Sequence, residues 1–167
     1  VMGANDIQKY VCTHDGAVIE FSIQSNDEKT DFTAIRSGNA VRVSGRINGR
    51  KVSADFEVED IPWGQPIPIL LQKQFSKTGQ GLDFWILNVN KLKPVYLKAY
   101  RKGTEMVQVL DKEVSAHHFE IRLRGALSAF WVSNYWLHEE TRDFIKFQGD
   151  YGPGSPETIM QLMRTYD

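Results

Sequence analysis

The feature that most constrains this fold is the alternation of apolar and polar residues on both sides of a two-residue turn. Residues 41–59 read VRVSGRINGRKVSADFEVE, with Asn48-Gly49 at the centre. Asn and Gly tolerate the positive φ angles that a two-residue hairpin turn requires. The apolar side chains fall on one face and the charged ones on the other, and the basic first strand can pair with the acidic second. This pattern is typical of an antiparallel sheet with one wet face.

Shorter segments of the same kind recur along the chain, separated by turn signals. The predicted strands cover residues 7–13, 17–24, 32–36, 95–101, 104–110, 117–124, 127–137 and 142–148, with a Lys102-Gly103 turn between the fourth and fifth. Residues 155–164 fit either a helix that begins at Ser155-Pro156 or a closing edge strand, and we favour the strand. Together these segments give about eleven strands joined by short loops, with no βαβ unit.

One segment interrupts the strands and has helical spacing. Residues 61–76 read IPWGQPIPILLQKQFS, and prolines are tolerated in a first helical turn. Ile67, Leu70, Leu71 and Phe75 then recur at helical spacing, which predicts a short amphipathic helix from Ile67 to Phe75. A polar loop follows over residues 77–81. The expected fold is a mainly β single domain over residues 1–167: one curved antiparallel sheet or incomplete barrel, with the helix covering its concave face.

Composition and charge exclude several classes of partner. The 167 residues carry a formal net charge of -1, which gives no long-range attraction for nucleic acid. The local group Lys91, Lys93, Lys98, Arg101 and Lys102 is expected to be a solvated strand face. No stretch approaches the ~18 consecutive apolar residues of a membrane span. We therefore predict no nucleic-acid partner and no transmembrane segment.

The candidate reactive residues do not form a catalytic or metal-binding pattern. Cys12 has no second cysteine to pair with, and Cys12 with His14 lacks an orienting acid and an oxyanion hole. His117 and His118 are adjacent, so on a strand they point to opposite faces. His118 and Glu120 can share a face, but a metal site needs a third ligand. We predict a non-enzymatic protein without a metal ion or cofactor.

The aromatic residues carry more information. Several predicted strands have large apolar side chains on both faces, so they must be covered by the helix, by loops, by a partner or by a bound apolar molecule. The alternative is that these side chains simply fill the core. If a hydrophobic cavity exists, we expect it to be lined by Trp63, Leu70, Leu71, Phe75, Phe84, Trp85, Tyr100, Phe130, Trp131, Tyr135 and Trp136.

Several of these segments also carry a resemblance to a known family. The segments are DIPW at 60–63, FWIL at 84–87, AYRKGTE at 99–105, FW at 130–131 with YW at 135–136, and FQG at 147–149 leading to GPGSPE at 152–157. They resemble an uncharacterised family of bacterial exported proteins, which is more distantly similar to the periplasmic lipoprotein carriers with their incomplete, helix-lidded barrels. The resemblance implies a periplasmic or cell-envelope location and a hydrophobic cavity.

Three functional hypotheses follow. The first is a non-enzymatic envelope protein that holds a lipid or other hydrophobic ligand between the curved sheet and the helix. The second is a protein interaction or assembly module that uses exposed aromatic strands and can form a homodimer. The third is an enzyme that uses His118 with Glu120 or Cys12 with His14. The chain begins Val1-Met2-Gly3-Ala4 without a signal peptide, which fits either a cytosolic protein or an exported one after processing.

Overall fold

A computed structural model describes residues 7–25, 29–109, 111–150 and 157–161. Within these ranges the chain forms eleven strands, one α-helix and two short 3₁₀ segments. The strands are β1 (Ile7–Cys12), β2 (Val18–Gln24), β3 (Asp31–Ser37), β4 (Ala40–Ile47), β5 (Arg50–Glu57), β6 (Leu82–Asn88), β7 (Lys93–Val109), β8 (Lys112–Leu123), β9 (Val132–His138), β10 (Phe144–Asp150) and β11 (Glu157–Gln161). The predicted class, mainly antiparallel β with one short helix, is confirmed.

The strands belong to two sheets. The first has the order β1-β2-β3-β4-β5 and the second β11-β10-β9-β8-β7-β6, so every pair of neighbouring strands among these eleven is also consecutive in sequence. The break between the sheets falls in the segment between β5 and β6, which carries Pro62, Pro66 and Pro68. Proline lacks the N–H donor that a ladder needs, so one continuous sheet cannot run through this segment.

The chain divides into two compact units. Unit 1 consists of Val1–Gln65 and Trp85–Val95, and unit 2 of Pro66–Phe84 and Tyr96–Asp167. In the described residues, none of the helices is long and apolar enough to cross a membrane.

The hairpin of β4 and β5 in unit 1 has the predicted turn and faces. Asn48 and Gly49 have φ angles of 50° and 77°. Val41 and Val43 are buried opposite Phe56 and Ala54. The predicted cross-strand charge pairing is present between Arg42 Nε and Asp55 Oδ1 at 2.9 Å.

Strand β7 is one strand of 17 residues, and all of it from Tyr96 onward belongs to unit 2. The predicted turn at Lys102-Gly103 is wrong. The pairing with β8 shifts register between Arg101 and Gly103, and Gly103 has a φ of 144°. The freedom of this glycine therefore serves a bulge, in which one strand carries an extra residue, and not a chain reversal.

The helix α1 (Ile67–Lys73) is shorter than predicted, and Ile67, Leu70 and Leu71 are its buried residues. A 3₁₀ segment, Phe75–Gln80, follows it where a polar loop was expected. Buried Thr78 stabilises this turn, because its hydroxyl donates a 2.7 Å hydrogen bond to the Phe75 carbonyl. The α1 helix packs against β9.

Strands β7 to β11 curl within unit 2. The Gln161 side-chain amide donates a hydrogen bond to the Gln108 carbonyl at 3.4 Å, which brings β11 to the end of β7 although three strands separate them in the sheet. Val107, Val109, Ala116, Trp136 and Ile145 form a core cluster on this curl. The predicted C-terminal strand is confirmed for Glu157–Gln161. Residues 155–156 and 162–164 of that predicted strand lie outside the described residues. So do residues 152–156 of the GPGSPE segment, which is part of the family resemblance.

Candidate functional site

The eleven residues predicted to line a hydrophobic cavity do not form one group. Trp63 and Trp85 belong to unit 1, and the other nine to unit 2. Five have no exposed surface: Trp63, Leu70, Leu71, Phe84 and Trp85. The remaining six range from buried to strongly exposed, so each has to be placed by its own contacts.

Trp63 and Trp85 pack against each other. Their rings stack with centroids 4.7 Å apart, and Phe21 and Phe56 meet them edge-on at 6.3 and 6.5 Å. The Arg36 guanidinium lies 5.9 Å from the Trp85 ring centroid. These contacts make the two indoles part of the core of unit 1.

Phe75 joins the helical segment to the sheet in unit 2. Its ring lies 4.6 Å from the ring of His117 and 5.9 Å from that of Phe119. The guanidinium groups of Arg101 and Arg142 lie over the same ring, 4.7 and 4.5 Å from its centroid. Burial, followed by the charge of Arg101, lowers the pKa of His117.

The two adjacent histidines of β8 point in opposite directions, as predicted. His117 contacts Phe75, whereas His118 stacks on Trp136 at 4.7 Å. His118 Nε2 and Asn134 Oδ1 lie 2.8 Å apart, and Trp136 Nε1 donates a 2.6 Å hydrogen bond to Glu105. In the part of the chain that is described, no three potential metal ligands form a group.

Three exposed apolar side chains come from β7, from β9 and from the residues just before β9, and we call them the Phe130 patch: Tyr100, Phe130 and Val132. By their register, Tyr100 and Val132 lie on the His118 face of the sheet. Phe130 is 76% exposed, Val132 40% and Tyr100 38%. Val132 on β9 lies opposite Arg122 on β8, and Tyr100 on β7 lies opposite Glu120. Phe130 precedes β9 by two residues. The adjacent Trp131 is buried and donates a hydrogen bond to the Asp150 carbonyl at 3.1 Å.

An open depression has Tyr100 of the Phe130 patch in its lining, and we call it the charged depression. Its volume is about 590 Å³, and it is lined by Tyr100, Arg101, Lys102, Glu120, Arg122 and Ser128. Lys102 and Arg122 contribute cations to this lining and Glu120 a carboxylate, whereas the guanidinium of Arg101 lies over the Phe75 ring on the His117 side.

Glu120 organises the charges of this depression. It accepts a 2.7 Å hydrogen bond from Arg122 Nε, and Lys102 Nζ lies 3.8 Å away. The hydrogen bond from Arg122 lowers the pKa of Glu120, although burial opposes the shift. Arg122 Nη1 also donates to the Ser128 carbonyl at 3.3 Å. The guanidinium is therefore held in place from two sides.

Unit 1 has a depression of its own, about 550 Å³ in volume. It is lined by Ile35, Ser37, Ala40, Val41, Arg42, Asp55, Phe56 and Glu57. Within this lining, Arg42 and Asp55 pair at 2.9 Å. This pair balances its own charge, so the depression has no positive excess.

Sequence reasoning found only part of the charged depression. The sequence predicts solvated strand residues at Arg101 and Lys102, it allows a metal-binding or catalytic pair at His118 and Glu120, and it gives no prediction for Arg122 and Ser128. The sequence signal for this site is the spacing of His118, Glu120 and Arg122, because residues two apart on a strand point to the same face. Which residues face them from β7 depends on the bulge at Arg101, and the sequence does not show that bulge.

No protein-family model, no curated protein and no solved structure matches this chain. The resemblance to exported bacterial proteins stays a prediction.

Proposed function

We propose that this chain is a non-enzymatic protein-binding domain, with the Phe130 patch and the charged depression as its contact surface. The observation that carries the proposal is the exposure of Phe130, which is 76%. Exposed apolar area costs roughly 25 cal/mol per Å² relative to burial, so a partner that covers the ring gains stability. An apolar group with a polar rim also has the composition of a protein interface.

The neighbouring residues support the same function. Tyrosine and arginine are enriched among the residues that contribute most binding energy at interfaces. Tyr100 and Arg122 both line the charged depression beside the patch. Because Glu120 and Ser128 already hold the Arg122 guanidinium, binding would cost less side-chain entropy than it would for a free arginine.

The hydrophobic-ligand hypothesis and the envelope location stay predictions. Trp63, Leu70, Leu71, Phe84 and Trp85 are filled core positions within their units, so they offer no exposed apolar surface to a ligand. Native mass spectrometry of the purified protein separates the two functions. A co-purifying apolar molecule of a few hundred daltons would favour the carrier, and a ligand-free protein favours the binding domain.

The direct test is selection of peptides on the immobilised protein from a displayed random library. Peptides enriched on the wild type should bind Phe130→Ser about tenfold more weakly. Met106→Ser is the matched control, because Met106 is an apolar residue of unit 2 that is 58% exposed and pairs with Ser115, away from Val132. Its binding should equal that of the wild type. Failure to enrich any peptide, or equal binding by Phe130→Ser, would overturn the proposal.

A further inference from the structure

We propose that Arg101 and Arg142 form a further binding site, which takes a phosphate group, free or in a monoester, beside the Phe75 ring. The Cζ atoms of the two guanidinium groups lie 4.7 and 4.5 Å from the centroid of this ring. Two positive charges therefore converge on one point of unit 2. The His117 imidazole contacts the same ring at 4.6 Å. The proposal is independent of the function assigned to the Phe130 patch.

The two guanidinium groups have no acceptor within the described parts of the chain. Arg101 and Arg142 form neither an ion pair nor a side-chain hydrogen bond there, whereas Arg122 on the neighbouring strand pairs with Glu120 at 2.7 Å. A guanidinium has five N–H donors in a fixed fork. Like charges that lie this close also repel each other. A bound anion would accept from the unused donors and remove the repulsion.

The backbone of Arg142 supports a role for its side chain. Arg142 has a φ of 63°, in a left-handed conformation that glycine adopts freely and arginine only with strain. Its N–H donates a 2.9 Å hydrogen bond to the His138 carbonyl, which fixes the turn. Glycine would suit this turn better, so arginine adds only its side chain, which lies over Phe75. Strained residues of this kind cluster at ligand clamps and active sites.

The guanidinium of Arg101 is accessible from the 3₁₀ segment that follows α1. A Cβ added at Gly79 would lie 3.6 Å from Arg101 Nη2, so the missing side chain leaves room beside this group. Arg101 and Arg142 are both exposed. A phosphate oxygen can therefore approach the two arginines without a rearrangement of the sheet.

The charges favour a phosphate monoester over a carboxylate. A phosphate monoester carries about -1.5 to -2 charges at pH 7 and has three acceptor oxygens, so one group can accept from both guanidinium groups. Pairs of arginine with phosphate are frequently bidentate. Nucleic acid fits less well, because each backbone phosphate is a diester with a single charge. The Phe75 ring also lies beneath two guanidinium groups, which take the place of a stacked base.

His117 reports on the charge of the site. Burial lowers the pKa of His117 most and Arg101 lowers it further, while Glu139 raises it and Arg142 lowers it. The Glu139 carboxylate already accepts a 2.6 Å hydrogen bond from the Ser115 hydroxyl. A phosphate bound by the two arginines should therefore raise the pKa of His117, because a nearby negative charge favours the imidazolium.

The test titrates the isotope-labelled protein with inorganic phosphate, phenyl phosphate and dimethyl phosphate at constant ionic strength. Nuclear magnetic resonance follows the imidazole signals of His117 and the arginine Nε–H signals. Inorganic phosphate and phenyl phosphate should bind saturably and raise the pKa of His117, and dimethyl phosphate, a singly charged diester, should bind at least about fivefold more weakly. Tighter binding of phenyl phosphate would assign an organic phosphate, and equal or tighter binding of inorganic phosphate would assign the free ion; both support the site. Equal binding of dimethyl phosphate, or no saturable binding of the other two, would overturn the proposal.

Variants locate the site. Arg101→Gln and Arg142→Gly should each weaken phenyl phosphate about tenfold. Arg142→Gly removes the guanidinium but keeps the turn, because glycine adopts its φ without strain, so its circular dichroism spectrum should match the wild type. Arg124→Gln is the matched control and should bind as the wild type does, because Arg124 lies alone over the Tyr96 ring at 4.9 Å. Unchanged binding by Arg101→Gln or folded Arg142→Gly, or equal weakening in Arg124→Gln, would overturn the proposal.

Discussion

The rings of Trp63 and Trp85 stack with an interplanar angle of 18° and a centroid distance of 4.7 Å, yet only one of their N–H groups has a hydrogen-bond partner. Trp63 Nε1 donates to Gln65 Oε1 at 3.2 Å. The Trp85 indole N–H is buried without a partner among the described residues. The two residues are equally buried, so they form a matched pair for mutation.

Trp63→Phe should therefore destabilise the protein more than Trp85→Phe. Both lose similar packing, but only the first loses a hydrogen bond, which contributes about 1 kcal/mol. Urea unfolding followed by far-ultraviolet circular dichroism measures the difference without depending on tryptophan fluorescence. Equal losses, or a larger loss for Trp85→Phe, would contradict the assignment.

Two glycines of the first sheet should respond differently to alanine. Gly49 has a φ of 77° and open space around it, so Gly49→Ala should cost only the strain of the left-handed conformation, about 1 to 2 kcal/mol. At Gly45 an added Cβ would lie 2.5 Å from Phe32 Cα, and it would also contact the Asp31 carbonyl. Gly45→Ala should be clearly the more destabilising in a urea titration, and the reverse order would disprove this account of the hairpin.

Glu120 should make stability depend on acid pH. The Arg122 hydrogen bond lowers its pKa in the folded state, so its contribution is complete at neutral pH. That contribution is lost as pH falls from the ordinary glutamate pKa of about 4.3 through the lower folded value. The difference in unfolding free energy between the wild type and Glu120→Gln should shrink over this range. A difference independent of pH would show that the ion pair adds no stability.

His117 should titrate below the ordinary range in a nuclear magnetic resonance experiment. Burial lowers its pKa most, and Arg101 adds to the effect. Because the folded pKa is depressed, stability falls as pH drops from about 6.5 toward the folded value. Arg101→Gln should raise the pKa of His117 without restoring it fully. An unchanged pKa in that variant would contradict the contact among Arg101, Phe75 and His117.

Phe130→Ser should leave stability within about 0.5 kcal/mol of the wild type, since the ring is largely in solvent. The thermal unfolding midpoint of the variant checks this. A loss above about 2 kcal/mol would show that the ring packs in the fold, and its exposure could not then be assigned to a binding role.

The parts of the fold that the sequence predicted depend on local rules. Asn48-Gly49 determines its own turn, and period-2 alternation assigns Val41 and Val43 to the buried face. The errors in the predicted strands arise where one short sequence is compatible with two local structures. Lys102-Gly103 fits a turn or a bulge, and the pairing of β7 with β8, a tertiary event, selects the bulge.

The candidate site was less predictable than the fold for a similar reason. Phe130 and Trp131 are adjacent aromatics with the same apparent role in sequence, but one is 76% and the other 9% exposed. Their difference follows from the hydrogen bond between the Trp131 indole and the Asp150 carbonyl on β10. That contact depends on how β9 and β10 approach, which no local pattern specifies.

The central claim is that the Phe130 patch and the charged depression bind a protein partner. Chemical-shift mapping of the isotope-labelled protein with a library-selected peptide tests it most directly. The largest changes should occur at Tyr100, Arg122, Phe130 and Val132, and in Phe130→Ser the changes at the other three residues should require about tenfold more peptide. Changes confined to the first sheet, or to α1 and the 3₁₀ segment after it, would contradict the claim.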